Sequence, residues 1–300
     1  MKTILIAGGT GFIGQTLEKH FTSKGYSVNL LSRNPKRDNE ILWDAKTIED
    51  TWVSLLENLD VLINLTGKTI NCRFTDANKK AIKESRIVST QLLGQAIDAC
   101  ENPPKIWMNS STTSIYKEAY TKERTEDSTV YGTDFESEVA TVWEKAFYKT
   151  ENLKTRKIIL RTSLVLGNNE GAFVPLKKLT QFGLGGKQGS GKQKVSWIHQ
   201  TDFARAVDFL IHKESAKGAY NFCVPKPTDN ATMMADFRKI LGVPIGIPSP
   251  KFILEIGALF MQTEPELILN SRNVVPKKLL ESGFTFQFPT ITSAIKNLIE

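Results

Sequence analysis

Residues 8 to 14 read Gly-Gly-Thr-Gly-Phe-Ile-Gly, immediately after the apolar run Thr3 to Ala7. The spacing GxxGxxG at a strand-to-helix junction leaves few folds open to a chain. Gly8 permits a tight turn, Gly11 removes a side chain where backbone must approach a pyrophosphate, and Gly14 lets the helix pack closely. Thr10, Phe12 and Ile13 complete the loop and the first helical turn. The free N–H groups and partial positive charge of that turn favour phosphate. With the amphipathic stretch Phe12 to Phe21 behind it, the motif predicts a dinucleotide site.

Patterning along the rest of the chain agrees with that placement. Val28 to Leu31, Glu40 to Trp43, Asp60 to Leu65, Lys105 to Asn109 and Lys157 to Leu160 read as strands. Thr75 to Cys100 and Asp134 to Lys149 read as helices. Such alternation means βαβ units and a parallel sheet covered on both faces. The expected class is α/β, a Rossmann-type doubly wound parallel sheet over residues 1–170. Beyond it, glycines between Gly171 and Gly191 and prolines at Pro225, Pro227, Pro244, Pro248 and Pro250 interrupt the pattern. Residues 171–300 are expected to form a smaller mixed α/β region bordering a substrate cleft. Segments near 195–222 are expected to return to the Rossmann domain.

The 300 residues carry a net charge of +7, but the lysines are scattered and form no basic run interleaved with aromatics. Nucleic acid is therefore not expected as a partner. Some of the positive balance is assigned to an anionic cofactor. Cys72, Cys100 and Cys223 lack CxxC spacing, which speaks against a disulfide framework or a zinc site. No other metal-ligand spacing is present. A reducing, cytoplasmic setting is expected. The apolar stretch Phe252 to Met261 is too short to span a bilayer. The N-terminal run, cut by Gly8 and Gly9, reads as a strand and not as a leader.

The end of the second strand chooses between cofactors. A site for NAD usually carries an acid there, hydrogen-bonded to the ribose 2′-hydroxyl. Here Ser32 and Arg33 occupy the place, with Lys36 and Arg37 behind. A guanidinium grips a 2′-phosphate with two prongs, so NADP is preferred over NAD. Asp44 is a candidate partner for the adenine amino group.

Asn64-Leu65-Thr66-Gly67 after the fourth strand and Ser110-Ser111-Thr112 after the fifth, taken with the glycine motif, resemble signatures of the extended short-chain dehydrogenase/reductases. Ser85-Arg86-Ile87, Trp143-Glu144, Gly189-Ser190-Gly191, Ser196-Trp197-Ile198-His199, Ser271-Arg272 and Val275-Pro276 look like the atypical epimerase-family branch, with its short C-terminal domain. The resemblance implies cofactor contacts from Leu65, Thr66, Gly67, Arg86 and Ser110. It also implies a small, nucleotide-linked substrate and a monomer or homodimer, pairing through the two long helices.

Superfamily chemistry uses a YxxxK pair, in which the lysine lowers the tyrosine pKa for proton exchange with substrate. None of the six tyrosines is followed four residues later by lysine. The expected helix instead carries Phe135 and, at +4, Val139. Ser111 and Tyr116 remain as candidate catalytic hydroxyls, and Glu144 is read as paired with a base. His199 is read as a strand-end residue, with Asp202 capping the helix Phe203 to Ile211. His20 and His212 are read as surface residues. The loop Gly186 to Gln193 lacks the hydroxyl and the following helix of a P-loop, and is expected to line the cleft through Lys192 or Gln193. Two functions stay open: an NADP-dependent oxidoreductase or nucleotide-sugar epimerase, and a non-catalytic NADP-binding redox sensor or regulatory protein.

Overall fold

The computed structural model describes residues 2–150, 154–260 and 262–300. Strands β1 (Thr3–Ala7), β2 (Ser27–Ser32), β3 (Glu40–Leu42), β4 (Val61–Asn64), β5 (Ile106–Thr112) and β6 (Arg156–Thr162) share one sheet. The short strands β7 (Leu164–Leu166), β8 (Lys194–Val195) and β9 (Trp197–His199) lie outside it. β10 (Gly218–Phe222) returns to the edge, and β11 (Thr228–Asp229) pairs with β8. The central order is β10-β6-β5-β4-β1-β2-β3, and its pairings are parallel. Strand order reverses between β1 and β4, so a crevice opens there at the carboxyl edge, where such sheets bind ligands.

Helices cover both faces. α1 (Phe12–Ser23) lies on one side; α2 (Asp50–Val53), α3 (Asp76–Ala99) and α4 (Phe135–Tyr148) lie on the other. α5 (Phe173–Gln181) precedes α6 (Gln200–His212), which joins α1 on the first face. The alternation of β1 shows why its sequence is uniformly apolar. Ile4 and Ile6 enter the core with Leu17, Phe21 and Phe203, while Leu5 and Ala7 meet Leu93, Ile97 and Trp107. The remaining helices are α7 (Asn230–Leu241), α8 (Lys251–Phe260), α9 (Glu266–Leu269), α10 (Lys277–Glu281) and α11 (Ile291–Ile299). α5, α7 and α11 enclose a second core around Phe173, Phe237 and Ile295.

Several boundaries differ from the sequence reading. β5 runs on to Thr112, because Ser111 and Thr112 continue the ladder opposite Arg161 and Thr162. α6 starts earlier than expected and is capped by His199, whose Nδ1 accepts from the Thr201 N–H at 3.1 Å. Asp202 is not the cap. Its fully buried carboxylate accepts the Gln287 and Phe288 N–H groups at 2.8 Å each, which ties the C-terminal segment to α6. His20 is largely buried against Asp208 at 3.2 Å, whereas His212 is half exposed.

Candidate functional site

The glycine loop has the geometry its spacing demanded. Gly8 adopts φ +74°, and a Cβ there would lie 3.1 Å from the Thr66 backbone. The loop after β4 can close against it only because that side chain is missing. A Cβ on Gly14 would fall 2.3 Å from the Gly9 carbonyl, so α1 packs directly on the turn. Gly11 differs: its Cβ would meet nothing nearer than 3.8 Å, which leaves open space above it. α1 has neither a side-chain cap nor an acid in its first turn. α3, α4 and α6 have both. The charge at the start of α1 is thus left to a ligand.

Hydroxyls at the ends of the neighbouring strands stand without partners among the described residues. Thr66 Oγ1 is buried with no hydrogen-bond partner among the described residues. The Ser110 hydroxyl is half-buried at the edge and likewise unengaged. A cleft of about 1280 Å³ runs from Thr10 and Phe12 past Ser32, Arg33 and Asn34. Arg33 is exposed and has no hydrogen-bond or ion-pair partner among the described residues. Arg37 is held by Glu18 at 2.9 Å and Glu40 at 2.6 Å, so it is already spoken for. Asp44 is exposed, and its Oδ1 accepts the Lys46 and Thr47 N–H groups. A dinucleotide fits this edge, with a free guanidinium at one end of it.

Ser111 and Tyr116 are placed differently from the rest. β-strand parity turns Ser111 toward α4, where its hydroxyl donates to Glu144 Oε1 at 2.7 Å. Glu144 also receives both forks of Arg161 at 2.8 Å, which bears out its reading as a paired acid. Arg161 Nη1 donates to Tyr116 Oη at 2.7 Å, and Tyr116 donates to Asn221 Oδ1 at 3.0 Å. Ser111 is 3% exposed and Tyr116 1%, so neither hydroxyl opens on the cleft. Burial pushes the Tyr116 phenol up to about 12 despite Arg161. That direction is opposite to the one acid catalysis needs. Burial disfavours the Arg161 charge, but Glu144 more than compensates and raises its pKa. Thr112, the neighbouring hydroxyl, is partly exposed and accepts the Ser114 N–H at 3.1 Å.

At the positions where the resemblance would place YxxxK, α4 carries Phe135 and Val139. Phe135 packs edge-on against Phe74 at 4.7 Å, and Val139 is 2% exposed. Arg86 reaches in from α3. Its Nη1 donates to the Lys68 and Ile82 carbonyls at 3.0 Å, and its Cζ lies 5.0 Å from the Trp143 ring centroid. Burial without a neighbouring acid lowers its pKa to about 10. Sequence reasoning missed the layer beneath these loops. Asn64 Nδ2 donates to Asn109 Oδ1 at 2.7 Å and to Thr90 Oγ1 at 3.0 Å, while Asn64 Oδ1 accepts the Thr66 N–H. The available signal was an asparagine at the paired positions of two adjacent strands, Asn64 on β4 and Asn109 on β5.

The loop Gly186 to Gln193 is built into the fold. Gly186 and Gly189 hydrogen-bond the backbone of Ile247 and Ser249, and Gln193, 1% exposed, donates to the Gln188 carbonyl. Gln193 is thereby a loop staple, while Lys192 is exposed. The three cysteines are free. Among the described residues no group of three His, Cys, Asp or Glu could hold a metal, and no helix is long and apolar enough to cross a membrane.

The switch-point crevice, the glycine turn and the strand-end donors define a nucleotide-binding protein of the short-chain dehydrogenase/reductase type. Residues 4–223 match the NAD dependent epimerase/dehydratase family, and the chain belongs to it. Residues 249–298 match a domain of unknown function, DUF1731. An epimerase family protein of Staphylococcus haemolyticus is 32% identical over 301 residues, covering 100% of each chain. The human epimerase family protein SDR39U1 (isoform 2), solved with NADPH, superposes with TM-score 0.89 at 32% identity, over 99% of this chain and 98% of that one. A nucleoside-diphosphate sugar epimerase from Corynebacterium glutamicum gives TM-score 0.80 at 27% identity, over 98% of this chain and 57% of that one.

Proposed function

We propose that the chain binds NADPH along the carboxyl edge and exchanges hydride with a small, nucleotide-linked substrate, as an oxidoreductase or nucleotide-sugar epimerase working without YxxxK. The observation that carries the cofactor reading is the unpaired Arg33 at the end of β2, beside an uncapped glycine turn. The structure of the human relative with NADPH supports it. Gly8, Thr10, Gly11, Phe12, Ile13 and Gly14 would hold the diphosphate, and Ser32 and Arg33 the 2′-phosphate. Leu65, Thr66, Gly67 and Ser110 would floor the nicotinamide half, and Asp44 would border the adenine. The bound cofactor supplies the hydride. Ser111 and Tyr116 serve as positioning groups, because the Ser111 hydroxyl ties β5 to Glu144 of α4 and the Tyr116 hydroxyl joins Arg161 of β6 to Asn221 of β10. Residues 171–300 would wall the substrate cleft.

A second reading, a non-catalytic NADPH sensor, draws on the buried Val139 and the raised Tyr116 phenol. Fluorescence titration of NADPH beside NADH, followed by stopped-flow mixing with carbonyl compounds including nucleotide-sugar ketones, separates the two. Hydride loss to any of them supports the enzyme. Tight NADPH binding with no hydride loss favours the sensor. Equal affinity for NADH overturns the assignment of Arg33.

A further inference from the structure

The apolar stretch that is too short to span a bilayer forms α8, and the fold leaves much of that helix uncovered. Leu254 and Ala258, four residues apart, turn inward; Ala258 is buried and Leu254 half-buried. Phe252, Ile256 and Leu259 follow one another at steps of four and three on the opposite side, with Ile253 beside them. All four are exposed. The polar residues of the helix, Lys251 and Glu255, pair with each other at 3.8 Å along one border of that face. A helix that is apolar on its outer side as well as its inner one belongs in a covered setting.

Two loops extend the face. Ile247 donates its N–H to the Gly183 carbonyl at 2.8 Å and accepts from the Gly186 N–H at 3.2 Å, while Ser249 exchanges backbone bonds with Lys187 and Gly189. The loop after α5 is thereby stapled to the segment that leads into α8. Phe182 stands on the first, 80% exposed, and Ile245 and Ile247 on the second, also exposed. Apolar surface gathered in this way marks an interaction site. Its surroundings are cationic. Residues 173–187 and 238–259 hold six lysines and arginines and one acid, Glu255, which Lys251 already occupies. Lys178, Lys187 and Lys239 are exposed.

We propose that this face lies on an anionic lipid surface, with the apolar groups of α8 and the two loops in the headgroup layer and the lysines against lipid phosphates. The ten residues of α8, about 15 Å of helix, fit within that layer lying flat. Apolar area drives the insertion, and the cations select an anionic bilayer. A second copy of the chain is the poorer occupant. In a symmetric dimer the face meets itself, and lysines meet lysines. The inference goes beyond the cofactor reading and does not rest on it.

The test is flotation of the full chain with two vesicle preparations, one of phosphatidylcholine and one of phosphatidylcholine with an equal amount of phosphatidylglycerol. Sedimentation equilibrium of the free protein runs alongside. Wild type should favour the anionic vesicles by at least about tenfold, and the preference should fade as salt rises. Ile256→Asp with Leu259→Asp should weaken that binding by roughly 100-fold or more. Lys178→Glu with Lys187→Glu should weaken it by roughly 25-fold and erase the preference for anionic lipid. Val88→Asp, at an exposed apolar position on α3, should float as wild type does. Thermal melting close to that of wild type shows that each variant is folded. Wild type that stays off both preparations overturns the proposal, as does unchanged anionic binding by a folded Ile256→Asp, Leu259→Asp protein. A dimer that this double substitution dissolves, with no flotation, assigns the face to a second copy and overturns it as well.

Discussion

Two guanidinium groups on the α3–α4 side of the sheet have opposite surroundings. Arg161 is saturated: two forks on Glu144, one on Tyr116, and Ser111 closing the carboxylate from the other side. Arg86 is left open, with two carbonyls, an aromatic face and no acid. A saturated buried network has nothing left to offer a ligand and serves to fix strands in register. An unsaturated one keeps donors free. The sequence placed its candidate serine and tyrosine at the saturated one.

The sharpest way to break the contrast is on the saturated side. Arg161→Met strands Glu144 in the core and should cost about 3–5 kcal/mol, read as a fall in the urea midpoint. Adding Glu144→Leu should recover most of the loss, because a buried pair exchanged for apolar groups is often neutral. A single-substitution cost below about 1 kcal/mol would show that the network does not hold the strands.

A second unsatisfied group extends the comparison to a titrating side chain. His199 is fully buried, its Nε2 is unpartnered among the described residues, and its Nδ1 caps α6. Burial lowers its pKa from 6.5 to about 4, against the pull of Asp202. The unfolded chain therefore takes up this proton first as pH falls. The contribution is complete above the unfolded value and drains away as pH drops toward the folded one, roughly 3 kcal/mol in all. His199→Asn keeps a cap acceptor and should flatten the urea midpoint between pH 6.5 and pH 4. An unaltered slope would assign the titration to another group.

Smaller effects concern the open side. Arg33→Ala should weaken NADPH by about 1.5–3 kcal/mol while leaving NADH within experimental scatter. Equal loss for both would move the 2′-phosphate elsewhere. Arg86→Met should change nucleotide-free stability by no more than about 1 kcal/mol, because removing an uncompensated charge offsets its two lost hydrogen bonds. The same substitution at Arg161 and Arg86 would then give costs several-fold apart. Equal costs would erase the distinction.

Local chemistry made the cofactor cradle readable. Gly8, Gly11 and Gly14 answer to backbone geometry within one turn, and the strands of a doubly covered sheet are apolar on both faces. The fate of Ser111 and Tyr116 depended on Glu144, Arg161 and Asn221, which lie far along the chain and meet only through the pairing of β5, β6 and β10. The α6 cap was misplaced for a related reason. Asp202 is a competent cap by type, but Gln287 and Phe288 claim its carboxylate from the far end of the chain. Arg86 stood out in sequence only through its resemblance to relatives; its lack of an acid became visible in three dimensions.

The strand order also bears on how the chain is made. β6 is placed next to β5 as soon as it is synthesised, but its outer edge waits for β10, whose first residue lies 56 positions after Thr162. At ordinary translation speeds that interval leaves an apolar strand edge uncovered for roughly 3–11 s on the ribosome. Ile158 and Leu160 are central to that edge. Nascent chains stalled before Gly218 should engage holding chaperones and aggregate on release, whereas chains extended past Phe222 carry their own protection.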